Sequence, residues 1–474
     1  MATAHRLFIF TFLLGACGGD GGMGATPGGI KDLRLARDLI SKGVIPPADA
    51  IVVEGMFAEH DLAIDGPPCE RTLCIRAAAG FAPELGSTPR GFAQLGLSSA
   101  IDPATWQRPP TTFIFTADVS GSMGWGDNDT TPGELSRQLM HALTDQLRDD
   151  DRVAIVTYGS DVNTKLGLTS GADRTKIHSA ISSLSEDGST NMEAGMKRAY
   201  SIGTSALGST AQVRVIVFTD TQPNVGATSP SEFQSIVAGA ATSGVYTTVM
   251  ALGTGIGPEV LRAMASLRGA NAFSLTKKTD VDTVMTDEYP WFTTPIAFGL
   301  RVNATLADGW AVNRGLGFPA ATDAQQIGLK SESVFLSTRH GALLVALTPP
   351  DGTPATLAGS FSLAYSEPDG TAVTDEATFS YDGTALDARG QWFSQHGVAR
   401  TTALGLVTEA MHDAAKLYGT DAVAAESLMR RAHERFAADA QALDDADLVP
   451  EVDLSAALLS LIEARAEQGT LYGR

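Results

Sequence analysis

Residues 118–124 read Asp-Val-Ser-Gly-Ser-Met-Gly and directly follow an apolar run, TFIFTA, at 112–117. An aspartate and two serines so close together could serve as a nucleophile site, a phosphate loop or a metal cradle. A serine nucleophile needs a general base within hydrogen-bond reach. The histidines at 60, 141, 178, 340, 396, 412 and 433 fall outside the strand-end loops read below, and the chain has no Gly-x-Ser-x-Gly elbow. A phosphate loop needs Gly-x-x-x-x-Gly-Lys-Ser/Thr, which is also absent. Ser120 stands where an Asp-x-Asp phosphotransferase would carry its second acid. Metal chemistry is left. Asp-Gly-Ser-Thr-Asn at 187–191 places Thr190 in a loop before a helix, and Thr-Asp-Thr-Gln-Pro-Asn at 219–224 places Asp220 after an apolar run. Asp118, Ser120, Ser122, Thr190 and Asp220 are all hard oxygen donors, a set that selects Mg²⁺, Mn²⁺ or Ca²⁺ over zinc. A cation held by neutral hydroxyls keeps most of its charge and an open position. It would accept a carboxylate from an Asp or Glu of a partner protein, and Mg²⁺, with octahedral geometry and exchangeable waters, suits that task.

These residues must be positioned by buried strands. Continuous β-branched runs at 112–117, 152–158, 213–219 and 245–252 alternate with helical stretches at 131–148, 174–184, 192–203, 231–242 and 258–267. Thr131, Pro132 and Glu134 form a helix start with a capping box. The alternation predicts an α/β domain over 108–288, a mostly parallel sheet with helices on both faces. Such sheets bind ligands at the carboxyl ends of their strands, where all five donors fall.

Around this domain the pattern changes. Residues 18–29, GGDGGMGATPGG, read as a tether, so 17–30 is expected to be flexible. Residues 31–42 have helical spacing, and 44–105 read as strands and turns, giving an α+β region over 31–107. Strict alternation at 300–306, 361–365 and 377–381 predicts a β-sandwich-like domain over 289–388, open to completion by strands from 44–105. The segment 389–474 is expected to hold three helices. Leu404, Val407, Met411 and Ala414 line the first, the second runs from about 421 to 440, and the third starts at Leu454 behind Asp453.

The order Asp-x-Ser-x-Ser, a later loop threonine and an aspartate after a middle strand resembles the von Willebrand factor type A (VWA) domain, a Rossmann-like fold. The resemblance implies a metal-ion-dependent adhesion site (MIDAS). In it Ser120, Ser122 and Thr190 would be hydroxyl ligands, and Asp118 and Asp220 would act through water. Thr221 departs from the glycine common in the family. The wider chain, including DLISKGVIPPADAIVVEGMF at 38–57, resembles a group of bacterial envelope lipoproteins with this domain at their centre.

At the amino end, Arg6 precedes the apolar segment LFIFTFLL at 7–14, too short to span a bilayer. Leu14-Gly15-Ala16-Cys17 follows and resembles a lipobox, which implies a signal peptide over 1–16 and a lipidated Cys17. Gly18 rather than aspartate at the next position implies the outer membrane. Export would place Cys69 and Cys74 where a small-loop disulfide is expected. A net charge of −20 argues against nucleic acid as a partner. Trp125, with Asp127 and Asp129 beside it, is a candidate partner contact at the rim of the metal loop. Together these readings predict a non-enzymatic, lipid-anchored protein of the bacterial envelope that binds a protein ligand through a metal. The alternative is a scaffold of an envelope complex in which the metal site is incidental.

Overall fold

The protein is described by a computed structural model over residues 23–85, 88–126, 130–186, 188–320, 328–350 and 356–472. The described residues begin with β1 (Met23–Pro27), β2 (Gly29–Ile30), α1 (Arg34–Ser41), α2 (Val53–Glu59), β3 (Cys74–Pro83) and β4 (Pro89–Ser99). The α/β part runs through β5 (Thr111–Asp118), α3 (Pro132–Asp145), β6 (Arg152–Tyr158), β7 (Val162–Ser170), α4 (Arg174–Ser182) and α5 (Met192–Ser205). It continues with β8 (Gln212–Thr219), α6 (Pro230–Thr242), β9 (Val245–Leu252), α7 (Pro258–Ala265), β10 (Asn271–Leu275) and α8 (Lys278–Thr283). There follow β11 (Pro295–Leu306), β12 (Ala311–Leu316), β13 (Lys330–Ser337), β14 (Gly341–Thr348), β15 (Leu357–Ser366), β16 (Ala372–Tyr381) and β17 (Trp392–Phe393). Three helices complete it: α9 (His396–Leu417), α10 (Ala422–Leu443) and α11 (Val449–Tyr472).

The β-branched runs form one sheet in the order β2-β10-β9-β8-β5-β6-β7. All neighbours are parallel except β7, which returns antiparallel beside β6. All eight residues of β5 are buried, as expected of a strand covered on both faces. Chain order reverses at β5, with β6 on one side and β8 on the other, so the crevice beyond its carboxyl end is the topological switch point. Thr131 caps α3 by accepting the Glu134 N–H at 3.2 Å, with Pro132 at the first helical position.

The second sheet has ten strands, with the path β12-β14-β4-β1-β13-β11-β15-β16, β3 on β4 and β17 on β3. Strands from before and after the α/β part therefore share one sheet. Its halves pack face to face: Phe81 of β3 lies 5.8 Å from the Tyr381 ring of β16, within a core that also holds Leu95, Leu343, Phe361 and Phe379. The helices α9–α11 close one side, and Leu404, Val407, Met411 and Ala414 are all buried.

Three expectations are corrected. Within the segment read as a tether, residues 17–22 lie outside the described residues, but Met23–Pro27 is a fully buried strand between β13 and β4. Gly24 is there for close approach, since a Cβ would lie 1.9 Å from the Arg339 carbonyl oxygen. Gly29 and Ile30 then pair with β10, so eight residues join both sheets. The stretch 44–105, read as strands and turns, contains helix α2, whose Val53, Met56 and Phe57 are buried at helical spacing. Helix α11 begins at Val449 rather than behind Asp453, because a 3₁₀ turn capped by Asp445 on the Asp447 N–H feeds directly into it.

Candidate functional site

The first loop is built where β5 ends. Asp118 is its last residue, and its carboxylate accepts the Ser120 N–H at 2.9 Å. This bond folds the chain back, and Gly121–Gly124 makes one 3₁₀ turn behind Ser120. The Ser120 and Ser122 hydroxyls then stand 3.2 Å apart. Asp118 also accepts the Thr219 hydroxyl at 3.0 Å, which ties the end of β5 to the end of β8. Asp220 follows β8 directly, is buried, and accepts the Gln222 N–H at 3.2 Å. Thr190 lies in the loop before α5 and is buried. Gly121 donates to the Gly188 carbonyl at 3.0 Å, joining the first loop to the second. The Asn224 side chain accepts the Thr190 N–H at 2.9 Å, and the Asn224 N–H returns to the Thr190 carbonyl at 3.2 Å, joining the second loop to the third. Three loops, after β5, after β8 and between α4 and α5, are thus hydrogen-bonded into one cup that carries the five candidate donors. Ser122 and Asp220 line a cavity of about 310 Å³ beside it, with Lys42, Trp125, Pro132, Gln222 and Thr276. Trp125 is 74% exposed on its rim, and Asp127 and Asp129 lie outside the described residues.

The electrostatics suit a cation. Burial pushes the Asp118 carboxyl up from its ordinary 3.8 to about 6, and the charge of Asp220 adds to that push against the Ser120 and Thr219 hydrogen bonds. A divalent ion between the two carboxylates would turn this repulsion into attraction. The Tyr158 hydroxyl, at the end of β6, is buried beside Asp118 and Thr219 and is held protonated by burial and by the charge of Asp118. Among the described residues no group of three or more His, Cys, Asp or Glu side chains is placed to hold a metal. The candidate set has only two carboxylates and relies on three hydroxyls, which fits a hard cation that keeps water. The raised Asp118 value gives a signed expectation. A carboxyl whose folded value exceeds its unfolded one removes stability as pH rises from about 4 through about 6. A bound cation cancels that loss, so Mg²⁺ should raise Tm more at pH 7.5 than at pH 5.0. Equal gains at both pH values would contradict it.

Thr221, the departure from the family glycine, adopts φ +56°, a left-handed conformation that a β-branched residue rarely takes. Its hydroxyl compensates by accepting the Gly257 N–H at 2.6 Å and facing the Gly257 carbonyl at 3.2 Å. Its own N–H donates to Thr219 at 3.0 Å. The turn is kept and the donor set is untouched. Thr221→Ala loses the hydroxyl and keeps the strain, so it should destabilise by about 1–3 kcal/mol. Thr221→Gly removes both and should stay within about 1 kcal/mol of wild type. Denaturant unfolding that reverses this order would refute the reading.

Sequence reasoning missed Thr219, Asn224 and Lys42. The first two are short polar residues flanking Asp220, and only pairing across loops reveals their role. Lys42 comes from the segment after α1 and reaches the cavity through the fold, with its ammonium 2.7 Å from Asp38. Cys69 and Cys74 form a disulfide with Cα atoms 5.7 Å apart. Cys17 lies outside the described residues. No described helix is long and apolar enough to cross a membrane.

Residues 113–222 match the family model of the von Willebrand factor type A domain, and the match contains all five candidate ligands. The chain is 26% identical over 289 residues to Uncharacterized protein YfbK of Escherichia coli (strain K12), covering 60% of this chain and 49% of that one. It is 24% identical over 202 residues to inter-alpha-trypsin inhibitor heavy chain H2 of Mus musculus, covering 41% of this chain and 21% of that one. The match thus spans half or less of the length of these curated relatives. The solved structure of a von Willebrand factor type A protein from Catenulispora acidiphila superposes with a TM-score of 0.51 at 13% identity, covering 82% of this chain and 91% of that one. This likeness extends beyond the α/β part and speaks to fold. The protein therefore contains an α/β VWA-like domain flanked by an antiparallel sheet and carboxyl-terminal helices. Such domains are characteristically non-catalytic protein-interaction modules.

Proposed function

We propose that the protein binds a protein partner through a divalent cation, Mg²⁺ in the first place, held by Asp118, Ser120, Ser122, Thr190 and Asp220. The observation that supports this is the cup itself, three loops cross-bonded to one another with Ser122 and Asp220 lining an open cavity. When bound, the cation supplies an electrophilic position for a carboxylate. The chain's own residues do the rest. Ser120, Ser122 and Thr190 offer neutral oxygens that leave the ion's charge unspent. Asp118 and Asp220 would balance its charge. Trp125 gives the partner an exposed aromatic surface of a type enriched at binding anchors. Retention of partners from an envelope extract should depend on divalent cation and fail in chelator. The same partners retained with and without chelator would support a scaffold role instead.

We further propose that the chain is lipid-anchored at Cys17 in a bacterial envelope, on the outer membrane. The support is the apolar segment at 7–14 followed by Leu-Gly-Ala-Cys. The first described strand starts at Met23, six residues after Cys17, so at about 3.5 Å per residue the anchor would hold β1 within ~20 Å of the membrane surface. Cys17→Ser should abolish incorporation of a labelled fatty acid. Label that persists on the variant would overturn the anchor.

A further inference from the structure

The α3 and α4 helices carry a second cluster that the strand-end site does not use. His141 and Asp145 lie one turn apart on α3, and His178 and Ser182 lie one turn apart on α4. The two imidazoles meet edge to edge, their planes 25° apart and their centroids 4.9 Å apart. Their Nδ1 atoms face each other at 2.7 Å. His178 Nε2 lies 3.0 Å from Asp145 Oδ1, and His141 Nε2 lies 3.4 Å from Ser182 Oγ. Asp145 accepts only, so it fixes the proton of His178 on Nε2 and leaves Nδ1 as a lone pair. The carboxylate–imidazole pair is the usual second support of a metal-ligating histidine. His178 is 30% exposed, so a cation can reach the pair from solvent.

We infer that His141 and His178 form a second metal site, one for a borderline transition cation such as Zn²⁺, bridging α3 to α4 through their Nδ1 atoms. A tetrahedral ion with Zn–N bonds of 2.0–2.1 Å separates two nitrogens by about 3.3 Å, so on binding the rings part by about 0.6 Å and swing until both lone pairs point at the ion. In the metal-free pair, His141 donates Nδ1–H to His178. On binding, His141 carries its proton on Nε2, toward Ser182, and both Nδ1 lone pairs turn to the ion. The exchange releases no proton from two neutral rings, and water fills the remaining positions. Nitrogen donors separate this site from the hydroxyl–carboxylate cup, which selects hard cations. Helix α3 starts at Pro132 on the cavity wall, and α4 leads into the loop of Thr190, so the ion would link two helices whose ends reach the first site.

The test is Zn²⁺ calorimetry at pH 7.5 on tag-free protein, in wild type and in an Asp220→Ala background that weakens the strand-end site. One zinc per chain with micromolar Kd is expected to survive in Asp220→Ala and to resist millimolar Mg²⁺. His141→Gln and His178→Gln should each weaken it at least tenfold, and Asp145→Asn by a smaller factor. Unchanged zinc affinity in both glutamine variants, or no zinc bound in Asp220→Ala, would overturn the site. Ring ¹⁵N resonances of the unmutated protein give a check free of folding effects. Zn²⁺ should shift two histidines, and a spectrum without such a shift counts against the inference.

Discussion

Asp118→Ala should reduce Mg²⁺ affinity at least a hundredfold and Ser120→Ala at least tenfold, with the fold intact in both. Asp118 has three roles at once: it accepts the Ser120 N–H that shapes the first loop, accepts the Thr219 hydroxyl that joins β5 to β8, and faces Asp220 as the second carboxylate. Removing it takes away a charge and the loop's internal brace. Ser120→Ala removes one hydroxyl donor and leaves the backbone bond in place. The metal-free Asp118→Ala protein has a further signature. The buried carboxyl, raised to about 6, opposes folding at neutral pH, so its loss should flatten the fall in stability between pH 4 and pH 6. Calorimetry with Mg²⁺ and unfolding against pH measure both. Equal metal affinity in wild type and Asp118→Ala would remove the donor set from consideration.

Gly24→Val should destabilise the protein by about 3 kcal/mol or more, a large effect for a residue in a segment whose composition reads as linker. The Cβ would sit 1.9 Å from the Arg339 carbonyl oxygen, 2.2 Å from its carbon and 2.5 Å from the His340 nitrogen. These are backbone atoms, so no side-chain rotation relieves the clash. The strand it would displace, β1, pairs with both β13 and β4, and the next residues pair with β10. Loss of β1 therefore opens the ten-stranded sheet and detaches the edge of the seven-stranded one. Chemical denaturation checks this, and a wild-type midpoint would restore the tether reading.

The legible parts of the sequence are those where one residue type has one physical use. TFIFTA, RVAIVTY, VRVIVFT and VYTTVMAL are too apolar for any place but a doubly covered strand, and each is one. Of the five candidate donors, Asp118, Ser120, Ser122 and Asp220 fall where β5 and β8 end, as their places after apolar runs indicate, whereas Thr190 lies between α4 and α5 and only the cross-loop bonds bring its loop beside them. What stayed hidden was long-range. Glycines at 24 and 29 have the composition of a linker, and only contact with Arg339 and pairing with β10 reveal their use. IVVEGMF has strand-like residues at helical spacing, and tertiary packing chose the helix. Thr219 reads as the end of a strand and Asn224 as a loop residue, and neither shows a role in the site until its cross-loop partner is known.

The central claim is that one cation in this cup holds the partner. The most direct measurement compares partner capture by wild type and Ser120→Ala, side by side in the same Mg²⁺-containing envelope extract. Partners are expected on the wild type and lost from the folded variant. The same partners on both, at the same yield, would contradict it.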